Sequence, residues 1–562
     1  MDDVDAVQAQ IARNMLTSGD WVIARLDGVP YLEKSPLIYW MMAISYRIFG
    51  AHDWAARIPV ALAAVLLAWV TYRYGRWAFE SRAGYHAGVA LATCVGLFLF
   101  TRILIPDVVL TLSTCLAYWA FQRVTDSQEI HTRRWAAILA ASLGVGVMLK
   151  GLIALVVVGG GIFVYLLLTK QLFSREIWKR LHVVSGAVIF LVIAAPWHIL
   201  ATLRMPPYLN FTLHSAPGEY HGFFWFYFMN EHVLRFLNLR YPRDYNTVPR
   251  LAFWGLHLVW LFPWSVYFPA VLRQNFRPAD RAGRTRLLAL CWAGFLLVFF
   301  TFSTTQEYYS MPIYPALALL LGSAMATEDS WTRWGTRALG FITAICALAI
   351  AILLYLVRGI PTPGDISNAL EQHPGTYTLS MSHMGDLTVQ SFAYLRTPLW
   401  LAGAAFLFGT LACWILRGRR AYLAIALMMV LFIHASRVAL VIFDPYLCSR
   451  PLAAALEGAP KGELIISGPY YEFSSVFFYT DRNALLWNGR RNNLEYGSYA
   501  PGSPSVFIDD REFLSRWNSN DRYYVLTTEG GGRHLQQTAP SDRLFLVAES
   551  GTKSLYSNQP TN

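Results

Sequence analysis

Charge is what this chain has least of. Asp, Glu, Lys and Arg make up 14% of its 562 residues, against about a quarter in a soluble globular protein. Apolar residues make up 55% and the mean hydropathy is +0.36, which excludes a water-soluble protein and a disordered one alike. Cysteine is scarce too. Of six, Cys94, Cys115, Cys291, Cys346 and Cys413 lie inside apolar runs and Cys448 lies outside them. No C-x-x-C spacing occurs, so neither a disulfide framework nor a zinc site of that kind is expected. There is no internal repeat. No cleavable leader is expected either, since the first residues are acidic and no apolar h-region follows. The net charge of +11 does not point to nucleic acid, because Arg and Lys gather in short loops between apolar runs.

What is present is a polytopic α-helical membrane protein. A helix needs roughly 20 apolar residues to cross the hydrocarbon. Such runs fall near 56–76, 84–105, 107–124, 135–149, 152–169, 182–203, 250–271, 286–305, 310–327, 338–357, 398–416 and 421–443, about twelve spans. Twenty Trp and thirty Tyr suit the two aromatic belts of a bilayer. Six basic groups, Arg73–Arg82, Arg123–Arg134, Lys170–Arg180, Arg273–Arg286, Arg333–Arg337 and Arg417–Arg420, fall on one side of these spans. The positive-inside rule makes that side cytoplasmic. The other side, periplasmic in a bacterium, holds the acidic N-terminal segment, Asp107, the 204–249 loop, Glu307, the 358–397 loop and everything after 443. An acidic start on the outer side is hard to insert, so one more span upstream is expected.

The expected organisation is a membrane domain over 1–443, opening with interfacial helices in 1–50, then a periplasmic α/β domain over 444–562. In the latter, short β-rich runs (Glu463–Ser467, Ser475–Tyr479, Ser505–Ile508, Tyr523–Thr527, Leu544–Ala548) alternate with turns and a helix around Asp510–Trp517.

The polar residues gather on the outer side. Asp2, Asp3 and Asp5 open an amphipathic helix whose stripe is Val7, Ile11 and Met15, with Gly19 as its C-terminal stop. One carboxylate would cap that helix; three exceed what a cap requires. In Tyr31-Leu32-Glu33-Lys34-Ser35-Pro36, the lysine either snorkels or offers a point charge to a phosphate. Asp107 either caps the helix that follows Pro106 or joins a shared site. Glu231 and Arg235 are spaced i, i+4 and either pair with each other or leave Arg235 to grip a phosphate. A lone His232 is more often structural than a ligand. Tyr308 and Tyr309 are belt residues or hydrogen-bond donors to a phosphate.

The acidic start, IARNMLTSGDW, YLEKSPLIYW, the Asp107 turn, the Leu149-Lys150-Gly151 break, NEHVLRF and YYSMPIYPALALL occur in this order. As an ordered set they resemble the bacterial GT-C glycosyltransferases, the group of the lipid A aminoarabinose transferases (ArnT) and the protein O-mannosyltransferases, over the membrane part to about residue 443. The resemblance implies a GT-C fold with about thirteen spans and a periplasmic C-terminal domain. It implies a polyprenyl-phosphate sugar donor, undecaprenyl-linked in a bacterium, and a lipid A-like, other glycolipid or protein acceptor on the periplasmic face of the inner membrane. By motif, Asp3 or Asp5 takes the place of a first catalytic acid, though this chain reads Asp-Asp-Val-Asp where the family reads Asp-Glu. Asp107 takes that of a second acid. Lys34 and Arg235 stand for phosphate-binding cations, and Tyr31 and Tyr308 or Tyr309 for the lipid-phosphate pocket, with Glu231 and His232 in support. Glu33 matches a metal-contacting glutamate. The histidine that joins it in some members is Asn230 here, so a divalent metal stays open, and Ser35 stands where proline is usual. A transporter is the rival of a different class, but those carry midplane charges and repeated halves.

Overall fold

The computed structural model describes residues 1–243, 248–303, 306–371, 373 and 383–561. Helices occupy all the apolar runs. Among the described residues six are long and apolar enough to cross a membrane: Asp53–Ala78, Val183–Arg204, Arg281–Thr301, Ser330–Leu356, Arg396–Ile415 and Gly418–Leu447. They become eight if the bent pairs Ser81–Ala92 with Val95–Thr101, and Arg250–Trp260 with Trp264–Val271, each count as one span. The expected number of about twelve is therefore not reached on length and composition alone. The helices at Asp107–Thr125, Thr132–Lys150, Ile153–Leu168 and Tyr314–Met325 are shorter or more polar. Asp107–Thr125 is buried along nearly its whole length, as suits a helix walled by protein rather than lipid. The last two residues of the expected 286–305 run lie outside the described residues.

The charge asymmetry has a structural counterpart. Helix Asp107–Thr125 has 19 residues, so it is roughly 28 Å long, close to the thickness of a bilayer's hydrocarbon. At its far end Arg123 pairs with Glu129 and Arg281 Nε with Asp126 Oδ2 at 2.7 Å, while both guanidiniums lie over Trp77. Asp107 stands at the opposite end.

The N-terminal helix runs Asp3–Ser18. Asp2 caps it by accepting from the Val4 N–H at 2.8 Å, and Gly19 ends it at φ 71°. Val7, Ile11 and Met15 are buried as the stripe requires, but so are Asp3, Asp5, Ala6, Ala9 and Ala12. The helix is packed between Leu37–Phe49 and Ser474–Thr480, so protein, rather than a membrane interface, covers it. A two-residue hairpin follows, β1 (Arg25–Leu26) and β2 (Val29–Pro30), closed by Asp27 and Gly28 at φ 50° and 78°. Positive φ at both turn residues is what a right-twisted hairpin demands.

The C-terminal part is α/β. Strands β3 (Glu463–Ser467), β4 (Leu485–Trp487), β5 (Phe507–Ile508), β6 (Tyr523–Thr528), β7 (Phe545–Ser550) and β8 (Lys553–Ser557) form one sheet in the order β5-β4-β3-β6-β8-β7. The first four are parallel and the last two antiparallel. Trp487 stacks on Phe513 with centroids 3.9 Å apart, which seats helix Asp510–Trp517 on the sheet. The expected strand Ser475–Tyr479 is instead the helix Ser474–Thr480, ended by Asp481 in the left-handed conformation. Its β-branched and aromatic composition reads as strand, but docking on the N-terminal helix decides otherwise.

Candidate active site

Six segments converge on one cavity of about 430 Å³. They are the Glu33–Ser35 stretch after β2, the start of helix Asp107–Thr125, the Lys150–Leu152 break, the π-helical turn Trp225–Leu234 with Arg235, the end of helix Arg281–Thr301 with Ser303, and the tight turn Glu307–Ile313. Wide π turns recur at functional sites because the extra residue re-aims side chains.

Asp107 is the first residue of its helix and is 1% exposed. The residue at the cap position is Pro106, and no side chain caps this helix, so capping does not explain the carboxylate. Its Oδ1 accepts from Lys150 Nζ at 2.5 Å. Its Oδ2 is buried in the cavity wall and, among the described residues, has no hydrogen-bond partner. The Lys150 ammonium also lies 4.8 Å from the ring centres of both Tyr308 and Tyr309, a cation–π arrangement.

Lys150 reaches Asp107 because the chain breaks at Gly151, φ 69°, where a Cβ would fall 2.2 Å from His232 Nε2. That nitrogen accepts from the Leu152 N–H at 3.0 Å, and Nδ1 lies 2.6 Å from the Tyr227 carbonyl. The ring is therefore a neutral imidazole donating from Nδ1, and burial keeps its pKa below the ordinary value. Ser35 bonds the Tyr227 hydroxyl and donates to the Val147 carbonyl at 3.0 Å. The serine thus ties the break to the lysine segment.

Opposite stands a second charge group. Glu33 Oε1 lies 2.7 Å from Lys34 Nζ and 3.8 Å from Arg235. Glu231 holds Arg235 at 2.6 Å through one oxygen and Arg240 at 2.5 Å through the other. Burial alone would raise the Glu33 pKa; the charges of Lys34, Arg240 and Arg235 override it and hold the carboxyl well below the usual range. Burial likewise works against charge on Lys34, and Glu33 more than restores it. Lys34, Arg235, Tyr308, Tyr309, Glu231 and His232 all line the cavity. From the cations the lining continues into an apolar groove of Leu152, Val156, Val233, Phe236 and Leu237, each more than a third exposed.

Three expected site residues are not in this wall. Asp3 accepts from Lys553 Nζ at 2.6 Å, Ser449 Oγ at 2.9 Å and the Ser475 N–H at 2.7 Å, which locks the N-terminal helix to the C-terminal part. Asp5 accepts from Arg57 at 2.5 Å and from the Leu104 N–H at 2.8 Å; it braces the turn that leads to Asp107. Tyr31 donates its hydroxyl to Glu33 Oε2 at 2.7 Å, steadying the carboxylate from behind. Nor do the residues around Glu33 fit a metal. Cations surround it, Asn230 exchanges two hydrogen bonds with the Tyr241 backbone, and among the described residues no group of three His, Cys, Asp or Glu could hold an ion.

Two residues the sequence reading passed over are central, Lys150 and Arg240. Lys150 carries a signal: a lysine at the end of an apolar run away from the basic loops opposes their charge asymmetry. Arg240 carries none, since its pairing with Glu231 depends on how an irregular loop folds back.

Residues 33–200 match the model of the dolichyl-phosphate-mannose-protein mannosyltransferase family. The chain is 28% identical over 414 residues to the undecaprenyl phosphate-alpha-4-amino-4-deoxy-L-arabinose arabinosyl transferase of Aeromonas salmonicida, a match covering 70% of each protein. To arabinosyl transferase 1 of Sodalis glossinidius it is 29% identical, over 63% of this chain and 60% of that relative's length. To the Erwinia tasmaniensis transferase it is 25% identical over 92% and 86%. Its fold is that of ArnT from Cupriavidus metallidurans bound to undecaprenyl phosphate: TM-score 0.80, 22% identity, 99% of this chain and 94% of that one.

Proposed function

We propose that this chain, a GT-C membrane glycosyltransferase of ArnT-like type, moves a sugar from an undecaprenyl-phosphate donor to a lipid A-like acceptor on the periplasmic face of the bacterial inner membrane. One observation carries the reading. Asp107, whose Oδ2 has no partner among the described residues, shares a cavity with Lys34, Arg235 and Lys150, and the cavity runs out into an exposed apolar groove. A polyprenyl phosphate has that shape, an anionic head on an apolar tail.

The chemistry follows from the charges. The acceptor oxygen attacks the anomeric carbon while the carbon–oxygen bond to the lipid phosphate breaks, its electron pair staying on the phosphate. Lys34 and Arg235 meet the charge that grows on the leaving phosphate, in a site with little water to screen it. Glu33 and Glu231 hold those two cations in place before the donor arrives. A hydroxyl acceptor gives its proton to Asp107 Oδ2, the oxygen that Lys150 leaves free. A phosphate acceptor is already anionic and needs no base, and there Asp107 balances positive charge developing on the sugar. The charge asymmetry of the loops, with Arg123 and Asp107 at opposite ends of one helix, supports a site on the periplasmic side.

The test is transfer by the full chain in lipid, with undecaprenyl-phosphate sugars and a membrane extract, read by mass spectrometry. A sugar-sized gain on lipid A or another glycolipid is the expected result. A gain on protein would replace the acceptor by a mannosyltransferase-like one, which the family match at 33–200 keeps in view. No gain from any donor would overturn the reading.

A further inference from the structure

One short helix of the C-terminal α/β part, Asn492–Ser498, packs behind the donor site. We propose that this helix fixes the spacing of the phosphate-binding cations, with Glu495 acting as a positioning residue on Arg235 through Tyr241 and Arg240. The inference rests on reading the cavity as a polyprenyl-phosphate site.

Arg235 is gripped by Glu231, and Glu231 is gripped from its other oxygen by Arg240. Arg240 belongs to a stretch, Asn238–Arg243, with neither helix nor strand of its own, so something outside must hold it. Tyr241 supplies the anchor. Its backbone exchanges hydrogen bonds with the Asn230 side chain at 2.5 and 2.9 Å, and its hydroxyl donates to Glu495 Oε1 at 2.7 Å. Tyr499 donates to the same oxygen at 3.2 Å.

The same helix also meets the segment that bears Lys34. A Cβ at Gly497 would fall 2.0 Å from the Pro30 carbonyl oxygen, so the helix lies backbone against backbone on β2, four residues before Lys34. Between these contacts Tyr496 stacks on Phe226 with centroids 4.2 Å apart. Its hydroxyl accepts from the His221 N–H at 3.0 Å and donates to the Gly222 carbonyl at 3.1 Å. One helix is thus fastened to the hairpin that leads to Lys34, to the π turn that carries Glu231, and to the loop that carries Arg240. Two cations serve one phosphate only if their separation is held, because a misplacement of about 1 Å forfeits most of the benefit. The C-terminal part supplies that constraint.

The experiment measures binding by the purified full chain in lipid nanodiscs, with undecaprenyl phosphate and undecaprenol as probes. E495A and Y241F are each expected to raise the Kd for undecaprenyl phosphate about tenfold, leave that for undecaprenol unchanged, and lower transfer through the donor KM more than through kcat. E495Q keeps an acceptor for both tyrosines and restores the wild-type Kd. Folded E495A and Y241F with wild-type affinity for undecaprenyl phosphate would overturn the inference, and so would equal weakening for both probes. If E495A does not fold, Y241F decides. A wild-type chain that does not bind undecaprenyl phosphate would instead overturn the functional reading on which this one stands.

Discussion

Asp107 and Lys150 meet at 2.5 Å across 43 positions of sequence, and the pair leaves one carboxylate oxygen buried in the cavity wall without a partner among the described residues. The ion pair orients the carboxylate, and the second oxygen is what a substrate can use.

Replacing Asp107 by Asn keeps the shape and removes the proton acceptor. Transfer to a hydroxyl acceptor should fall about 10²- to 10⁴-fold, the usual worth of a positioned general base, while undecaprenyl phosphate still binds. A folded D107N protein with undiminished kcat would remove Asp107 from the chemistry.

Lys34→Ala takes away a cation already compensated by Glu33. The donor KM should rise about tenfold or more, as for loss of one charge-assisted contact, and high ionic strength should mimic the effect only weakly because the pair is largely shielded from solvent. Unchanged donor affinity would assign Lys34 to the snorkelling role.

Asp3→Ala separates the two readings of the acidic start. It strips a buried carboxylate from Lys553, Ser449 and Ser475, a loss of about 3–5 kcal/mol when one partner of a buried pair goes. The unfolding temperature should drop while kcat at saturating donor in the folded fraction persists. Loss of kcat with an unchanged melting temperature would return Asp3 to catalysis.

Asp27 gives a pH signature. Burial pushes its carboxyl from 3.8 up to about 7, against the pull of the Ala484 N–H. A raised folded pKa means the folded state holds the proton more tightly than the unfolded chain. Its contribution is therefore fully present below pH 3.8 and is lost as pH rises through about 7. D27N should match the native chain in acid and exceed it in thermal stability above neutrality. Parallel melting-temperature profiles for the two would refute the assignment.

The legible parts of this molecule were those written in local pattern. The apolar runs, the amphipathic stripe ended by Gly19, and the strands at Glu463–Ser467 and Tyr523–Thr528 follow from periodicity and turn residues. So did most of the cavity wall, because Lys34, Asp107, Arg235 and the two tyrosines sit in an ordered set of motifs. What stayed hidden depends on contacts between distant segments. Ser474–Thr480 has strand composition but folds as a helix against the N-terminal helix. Asp3 looked catalytic because nothing local announces Lys553 as its partner, and Arg240 lies in a loop whose path only the C-terminal part sets.

The Asp3–Lys553 contact also orders events in time. The two residues are 550 positions apart, so at 5–20 residues per second roughly 30–110 s of synthesis separate them. Throughout that interval the helix Asp3–Ser18 must wait beside the emerging membrane helices with its buried carboxylate lacking a counter-charge. A nascent chain halted before β8 therefore holds its spans but leaves the buried Asp3 without its cation, a defect that quality-control proteolysis can tell from the finished protein.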